Sequence, residues 1–284
     1  MAQNEIIDRM KKLFLAFLAL GIAASASAQK LEWSTVPMDG SRTGVTAPNA
    51  DNVKEALGTV KGGRYIAPNG RVYRKGSARK VAKLMIDSQE DMAFVKEVVG
   101  FAPQAMVKRK PECELSNWSA DILKAAVEKE FGRPVDIALT NFGGIRVDMP
   151  QGDVLLDDIL SMFPFNNYLT YVAIHGRDVR RLFEIIAGKG MEAVSGVEVT
   201  IQGRKLVDLK VGGQPVDDDK IYGLATIDYL LNGGDDIFAK NNAEEVLISD
   251  KIVYDGIIEH VREIKAQGKF IEAKVDGRVK VLPQ

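Results

Sequence analysis

Histidine and cysteine are nearly absent from this chain: 284 residues include two of the first and one of the second. A single cysteine excludes an intrachain disulfide. Cys113 lies between Glu112 and Glu114, the reverse of the electropositive setting that makes a reactive thiolate, so it reads as an inert or structural thiol. His175 and His260 stand far apart in sequence and leave little with which to do chemistry on a phosphate. A surplus of either charge is lacking too. A formal net charge of -1 argues against a general nucleic-acid binder, which would carry a basic surplus. There is no internal repeat, no low-complexity tract, and no second long apolar run after the one that ends at Ala24.

That first run is a targeting signal. Lys11-Lys12 precede the apolar stretch from Leu13 to Ala24, and Ala26-Ser27-Ala28 supplies small residues for cleavage. Residues 1–28 therefore read as a secretory signal peptide, too short and wrongly flanked to span a membrane. Its natural start is Met10, which makes residues 1–9 an upstream mis-start or an addition. No cysteine follows the small residues, which argues against a lipoprotein. The mature chain is expected to begin at Gln29 and to be soluble, periplasmic or secreted.

The whole chain is 46% hydrophobic and 27% charged, ordinary for a globular protein. Residues 29–86 read as an N-terminal extension, loosely patterned up to about residue 60. A hairpin is then expected where Tyr65, Ile66, Val72 and Tyr73 flank Asn69-Gly70. Between residues 61 and 83 lie Lys61, Arg64, Arg71, Arg74, Lys75, Arg79, Lys80 and Lys83, with no acidic residue. Two readings stay open: a solvated edge hairpin whose charges block edge pairing, or a docking surface for an acidic partner.

Residues 87–284 read as one α+β domain. Helices are expected over 87–100, from about Ser116 to a stop at Gly132, over 154–162, around Val179 to Ile186 with a stop at Gly188, and from Val253 to just before Gly268. Strands are expected over 136–140, 168–174, 221–226 and 270–274, with a hairpin over 196–211 turning at Gln202-Gly203. Helices and hairpins mix without a regular βαβ repeat, which favours α+β over a doubly wound sheet.

Three segments carry chemistry. Asn141-Phe142-Gly143-Gly144-Ile145-Arg146 follows a strand, and its glycines allow close approach of backbone to a ligand or to another backbone. Arg146 suits a phosphate through its bidentate fork, although a tight turn with a surface arginine fits the same residues. Phe163-Pro164-Phe165-Asn166-Asn167 places two rings around a proline. Phe163 reads as a core anchor, and Phe165 as a ring face for a base, a stack worth ~1–3 kcal/mol in nucleic-acid systems. Asn232-Gly233-Gly234-Asp235 is a turn that aims a carboxylate outward. It suits the hydroxyls of a ribose, or ends a helix with a solvated aspartate. Asp235-Asp236 is too short for a calcium loop.

In this order and spacing the three segments resemble the C-terminal substrate-binding domain of the secreted 5′-nucleotidase family, which includes periplasmic UDP-sugar hydrolases and animal ecto-5′-nucleotidases. The likeness covers roughly Asp87 to the C-terminus. It implies that Phe165 and Tyr229 are the walls clamping the base, the second being Phe in most of the family. Asp235 would accept the ribose hydroxyls, Arg146 would hold phosphate with Asn141 beside it, and Asn167 would lie near the base edge. The family has a further phosphate-binding arginine upstream of a Gly-Asn-Leu segment. Here that segment is Ser116-Asn117-Trp118, and the nearest counterpart is Arg109, flanked by Lys108 and Lys110. Phe142 replaces a glycine common in the family's first loop, which would narrow the pocket or rotate the turn.

The family's chemistry resides in an N-terminal metallophosphatase domain with two metals held by His, Asp and Asn. Neither His175 nor His260 lies in an Asp-x-His or Asn-His-Glu motif. His175 reads as a turn residue before a helix, and His260 as a partly exposed residue on the last helix. The resemblance therefore implies no catalytic residue, metal or cofactor on this chain, with divalent metals expected on a partner. Three readings follow: the substrate-binding half of a split periplasmic 5′-nucleotidase acting with a separately encoded metallophosphatase subunit; a stand-alone periplasmic nucleotide or nucleoside binder; or a structural relative that has lost its ligand. The intact trio of Arg146, Phe165 and Asp235 opposes the third.

Overall fold

The computed structural model describes residues 53–283. The leader and residues 29–52 of the extension lie outside the described residues. The chain divides into two compact units, one ending at Ile86 and the other running from Asp87.

In the first unit, helix α1 (Val53–Leu57) precedes strands β1 (Thr59–Lys61), β2 (Arg64–Ile66) and β3 (Val72–Tyr73), which form an antiparallel sheet in that order. The hairpin at Asn69-Gly70 pairs Tyr65 with Tyr73. The two rings stack at 5.7 Å, and the Arg71 guanidinium sits 5.2 Å from the Tyr73 ring. Helix α2 (Ser77–Asp87) follows. The basic stretch is thus not one hairpin: Arg79, Lys80 and Lys83 belong to a helix.

The second unit is α+β. Strand β4 (Val98–Ala102) leads to the long helix α3 (Glu114–Phe131) and strand β5 (Ile137–Thr140). Cys113 is fully buried at the start of α3, and its sulfur accepts the Ser116 N–H at 3.4 Å. Gly132 ends α3 in the left-handed conformation. Strand β6 (Gly152–Leu155) runs into helix α4 (Leu156–Met162), followed by strand β7 (Tyr168–His175) and helix α5 (Gly176–Gly188). Strand β8 (Ala193–Ser195) precedes the hairpin β9 (Val197–Gln202) and β10 (Lys205–Val211), closed by Gly203 and Arg204, both at positive φ. Short strand β11 (Gln214–Pro215), strand β12 (Ile221–Ile227), short helix α6 (Asp228–Leu231), strand β13 (Glu245–Ile252), helix α7 (Val253–Ala266) and strand β14 (Val279–Leu282) complete the chain.

The central sheet has the order β13-β7-β12-β5-β8. From Leu169 to Ile174 every residue of β7 is buried, as is every residue of β5. Such continuous apolar runs mark strands covered on both faces. Helix α3 packs on β5, β8, β7 and β12, while α5 packs on β7 and β12. A second sheet has the order β11-β10-β9-β14, and β4 pairs with β6.

The topology places three strand ends together. β5 and β12 are parallel neighbours, so the loops that follow them leave from the same edge of the sheet. β7 is antiparallel to β12 and pairs Leu169 with Ile227, so the segment that precedes β7 arrives at that same edge. These are the Asn141 loop, the Tyr229 to Asp235 segment and the Phe163 to Asn167 segment.

Three expectations change, and one strand enters that no expectation covered. Residues 87–100 are not one helix: α2 ends at Asp87, Ala93–Lys96 is a single 3-10 turn, and Val98 onward is strand. Phe94, Val95, Val98 and Val99 fit helical spacing, but Phe94 is 60% exposed, and the β-branched pair before Gly100 finds a partner in β6. The expected helix over 154–162 begins as strand, because Val154 pairs with Gly100 and the Asp158 carboxylate caps the helix by accepting the Leu155 N–H at 2.7 Å. Residues 270–274 form no strand; one backbone bond, Ile271 N–H to the Phe101 carbonyl, ties them, and the closing strand is β14. Strand β13, unforeseen, forms the sheet edge, with half-buried and exposed residues alternating along most of its length. No helix among the described residues is long and apolar enough to cross a membrane.

Helix α7 holds a pH-dependent element. Burial lowers the His260 pKa below its ordinary value of 6.5, partly offset by Glu263. The unfolded chain therefore takes up the proton first. The contribution of His260 to stability is constant above about pH 7.5 and falls as the pH drops through 6.5 toward the lower folded-state value. Urea unfolding between about pH 7.5 and 5.5 should show this slope, and His260→Gln should flatten it; an unchanged slope in the variant would refute the assignment.

Candidate functional site: one cleft at the sheet edge

Asn141 is the first residue beyond β5 and is 5% exposed. The loop turns at once through a short 3-10 segment, Phe142–Gly144. The Asn141 side chain folds back over that segment, and its Nδ2 donates to Asp235 Oδ2 at 2.6 Å. The two glycines make this possible. A Cβ on Gly144 would lie 2.7 Å from Asn141 Oδ1, and one on Gly143 would lie 3.3 Å from Nδ2. Their role is to admit the amide of Asn141 itself, rather than another stretch of backbone.

Asp235 arrives from the turn after α6. A Cβ on Gly234 would come within 2.4 Å of the Tyr229 ring, so the ring lies directly on the glycine backbone. The Tyr229 hydroxyl donates to Asp235 Oδ1 at 3.1 Å. That hydrogen bond is the main reason the phenol pKa is raised above 10.0, with desolvation adding to it. Both oxygens of Asp235 are thereby oriented. The turn itself is unusual: Asp235 (φ 52°) and Asp236 (φ 51°) both occupy the left-handed region, which costs a non-glycine residue roughly 1–2 kcal/mol each. Lys189 Nζ donates to the Asp235 carbonyl and lies 3.1 Å from Asp236 Oδ2.

The third wall comes from the segment between α4 and β7. Phe163 is buried against Trp118, ring centroids 6.4 Å apart, whereas Phe165 is 45% exposed. The two phenylalanines divide as expected. The Arg146 guanidinium lies 5.8 Å from the Phe165 ring centroid and donates to the Gly143 carbonyl at 3.2 Å. Its backbone N–H donates to the Met162 carbonyl at 2.9 Å, which ties the loop to the end of α4. Asn167 is anchored through its carbonyl, which accepts the Val253 N–H at 2.8 Å.

These groups enclose a cleft of about 270 Å³, lined by Asn141, Gly143, Gly144, Arg146, Phe165, Asn167, Tyr229 and Asp235. That volume lies near the lower end for small-molecule sites. Two aromatic rings, one carboxylate, one guanidinium and two side-chain amides converge there. A larger cleft of 490 Å³ lies around Trp118, His260 and Arg278. Of its two strong cations, Lys274 and Arg278, the second is already ion-paired with Asp121 and Asp276, so volume alone does not mark it as the site.

Arg109 is not among the lining residues. It is exposed, its backbone N–H donates to Cys113 Sγ at 3.3 Å, and its guanidinium has no hydrogen-bond partner among the described residues. Its neighbours are committed to the framework: Lys108 Nζ to the Ile145 carbonyl, Lys110 Nζ to Glu192 at 2.8 Å and to the Met191 carbonyl at 2.7 Å. Phe142 is 4% exposed and does not line the cleft. Its ring packs into the core, so it does not narrow the pocket. His175 ends β7 and bonds Glu244 at 2.8 Å, and His260 is half-buried on α7. Among the described residues no group of His, Cys, Asp and Glu is arranged to hold a metal ion.

Sequence reasoning missed the supports. Glu192 is 6% exposed and accepts the Phe142 N–H at 2.6 Å, bracing the loop from behind. Lys189 holds the acidic turn. Nothing local announces either residue, since Lys-Gly after a helix is ordinary helix-end chemistry.

The family profile described as 5′-nucleotidase, C-terminal domain, matches residues 92–241. Protein UshA of Yersinia enterocolitica is 29% identical over 133 residues, covering 45% of this chain and 24% of that protein. A 5′-nucleotidase of Vibrio vulnificus is 30% identical over 105 residues, covering 35% of this chain and 19% of that protein. The chain thus spans about a quarter or less of the length of these curated relatives. The crystal structure of a 5′-nucleotidase precursor from Thermus thermophilus superposes with a TM-score of 0.63 at 22% identity, covering 77% of this chain and 45% of that one. It shows a shared fold.

Two measurements check the geometry. Asp235→Asn should bring the Tyr229 ionisation down toward 10.0, read as the phenolate absorbance difference against Tyr229→Phe; an unshifted titration would refute the hydrogen bond. Gly144→Ala should displace the Asn141 amide and cost ~1–3 kcal/mol in urea unfolding, and a neutral result would mean the amide has room to spare.

Proposed function

The chain belongs to the family of the 5′-nucleotidase C-terminal domain, and on that premise we propose that its cleft holds a nucleotide as the substrate-binding half of a split, exported 5′-nucleotidase. The observation that carries this is the convergence of Arg146, Phe165, Tyr229 and Asp235 on one cleft. In this reading the base lies between Phe165 and Tyr229, with Asn167 near its edge. The ribose hydroxyls donate to Asp235, whose oxygens are oriented by Asn141 and Tyr229. Phosphate lies on Arg146, which makes no ion pair among the described residues and so keeps donors free. Arg109, whose guanidinium has no hydrogen-bond partner among the described residues and which lies on the segment bound to the loop through Lys108, is the candidate second cation.

The two histidines have other places, so phosphate ester hydrolysis in this reading depends on a metallophosphatase subunit encoded separately. Metals on that partner would polarise the phosphoryl group and activate a water. This chain's task is to fix the nucleotide against them, which supplies the orientation part of the barrier reduction. The domain division that accompanies the proposal is a leader over 1–28, an extension over 29–86 and the binding domain over 87–284, acting in the periplasm or outside the cell in nucleotide catabolism. A stand-alone nucleotide or nucleoside binder uses the same cleft without a partner.

Calorimetry with AMP is the test. The isolated chain should bind, Phe165→Ala should cost ~1–3 kcal/mol, and Asp235→Ala should lose most of the signal. Without a partner the chain should show no turnover of AMP with any divalent metal. Turnover that appears when a metallophosphatase is added supports the split enzyme, and its absence with every candidate leaves the binder. Robust hydrolysis by the chain alone would overturn the split, and no heat with any nucleotide would overturn both readings.

A further inference from the structure

One short segment that does not itself line the cleft braces two of its three walls. Lys189 to Glu192 follow α5, and Gly190 (φ 82°) and Met191 (φ 76°) form a tight reversal there. The Met191 N–H donates to the Ile186 carbonyl at 2.8 Å, which fixes the segment to the end of the helix. From one end Lys189 Nζ reaches the Asp235 carbonyl and the Asp236 carboxylate. From the other, the Glu192 carboxylate takes the Phe142 N–H at 2.6 Å and Lys110 Nζ at 2.8 Å. The acidic turn and the Asn141 loop are therefore registered to one short segment, and they meet at the Asn141–Asp235 bond of 2.6 Å.

We propose that Lys189 is a positioning residue that clamps the Asp235-Asp236 turn so that the Asp235 carboxylate is held ready for the ribose of a nucleotide. The inference rests on the reading of Asp235 as the ribose acceptor and deepens it. Two successive non-glycine residues in the left-handed region carry backbone strain. A cation on the carbonyl of the first and the carboxylate of the second satisfies both with one side chain. Without it the turn relaxes toward ordinary backbone, and the carboxylate swings away from Asn141. Lys189 is one-third exposed and Asp236 almost fully exposed, so the ion pair is screened and the carbonyl bond carries more of the effect. Among the described residues no hydrogen bond or ion pair joins Lys189 to Phe165 or Arg146, so the effect should be confined to ribose.

Lys189→Met keeps the stem and removes the donors, and Lys189→Arg keeps donors. Amide hydrogen exchange of the unliganded chain reads the clamp directly at Asp236 and Ile237, whose N–H groups bond the Gly233 and Gly234 carbonyls at 3.1 and 3.0 Å. Exchange there should rise roughly tenfold in Lys189→Met and return most of the way in Lys189→Arg. AMP affinity should fall by roughly the same factor, while 2′,3′-dideoxy-AMP, which lacks the hydroxyls, should bind both proteins equally. Unchanged exchange overturns the clamp. Equal losses for AMP and its dideoxy analogue overturn the link to ribose and leave a merely structural lysine. If the wild-type chain binds neither ligand, the ribose reading of Asp235 falls, and exchange alone decides the clamp.

Discussion

A single side-chain hydrogen bond, Asn141 Nδ2 to Asp235 Oδ2, joins positions 94 residues apart and holds the cleft closed along one wall. Most of the local chemistry exists to permit it. Gly143 and Gly144 give up side chains so that the Asn141 amide can lie over its own loop, and Gly234 gives one up so that Tyr229 can reach the other oxygen of Asp235. Behind the loop, Glu192 takes the Phe142 N–H; behind the turn, Lys189 takes the Asp235 carbonyl. An aspartate with both oxygens directed and its backbone held in the left-handed region is preorganised, so a ligand would not have to order it on binding.

The sheet explains why these groups meet. Two loops that follow parallel neighbours, β5 and β12, and one segment that precedes their antiparallel partner β7, must emerge at the same edge. Ligand sites outside the carboxyl ends of parallel strands are a general consequence of such topology. The buried strands supply the rigidity and the loops supply the chemistry. The same division acts within five residues of Phe163-Pro164-Phe165-Asn166-Asn167, where one ring enters the core beside Trp118 and the other stands at the cleft.

Much of this was legible in residue order. Strong periodicity and clear stop signals placed α3, α5, α7, β5, β7 and the β9–β10 hairpin, because each has its apolar face and its terminators in adjacent positions. Failures occurred where a partner distant in sequence made the decision. Val98 and Val99 satisfy helical spacing as well as strand chemistry, and only β6 settles which. Residues 270–274 alternate like a strand but find a single backbone bond instead of a ladder. The basic residues from Lys61 to Lys83 split between a sheet and a helix for a local reason: a glycine turn and a helix start lie side by side, and charge does not distinguish them.

By itself the sequence determined the α+β class, the membership carried by three ordered motifs, and the side chains of the cleft, since aromatic, acidic and guanidinium groups beside turns are recognisable one segment at a time. It also determined which groups are scarce, down to two histidines and one cysteine. Only the tertiary structure decided that six of the seven proposed residues share one cleft while Arg109 stands outside it. Only it assigned the glycines to Asn141 and the supports to Lys189, Lys110 and Glu192. The physical reason is that a motif records what a side chain can do, whereas a hydrogen bond across 94 residues depends on strand order and register, which no local pattern contains.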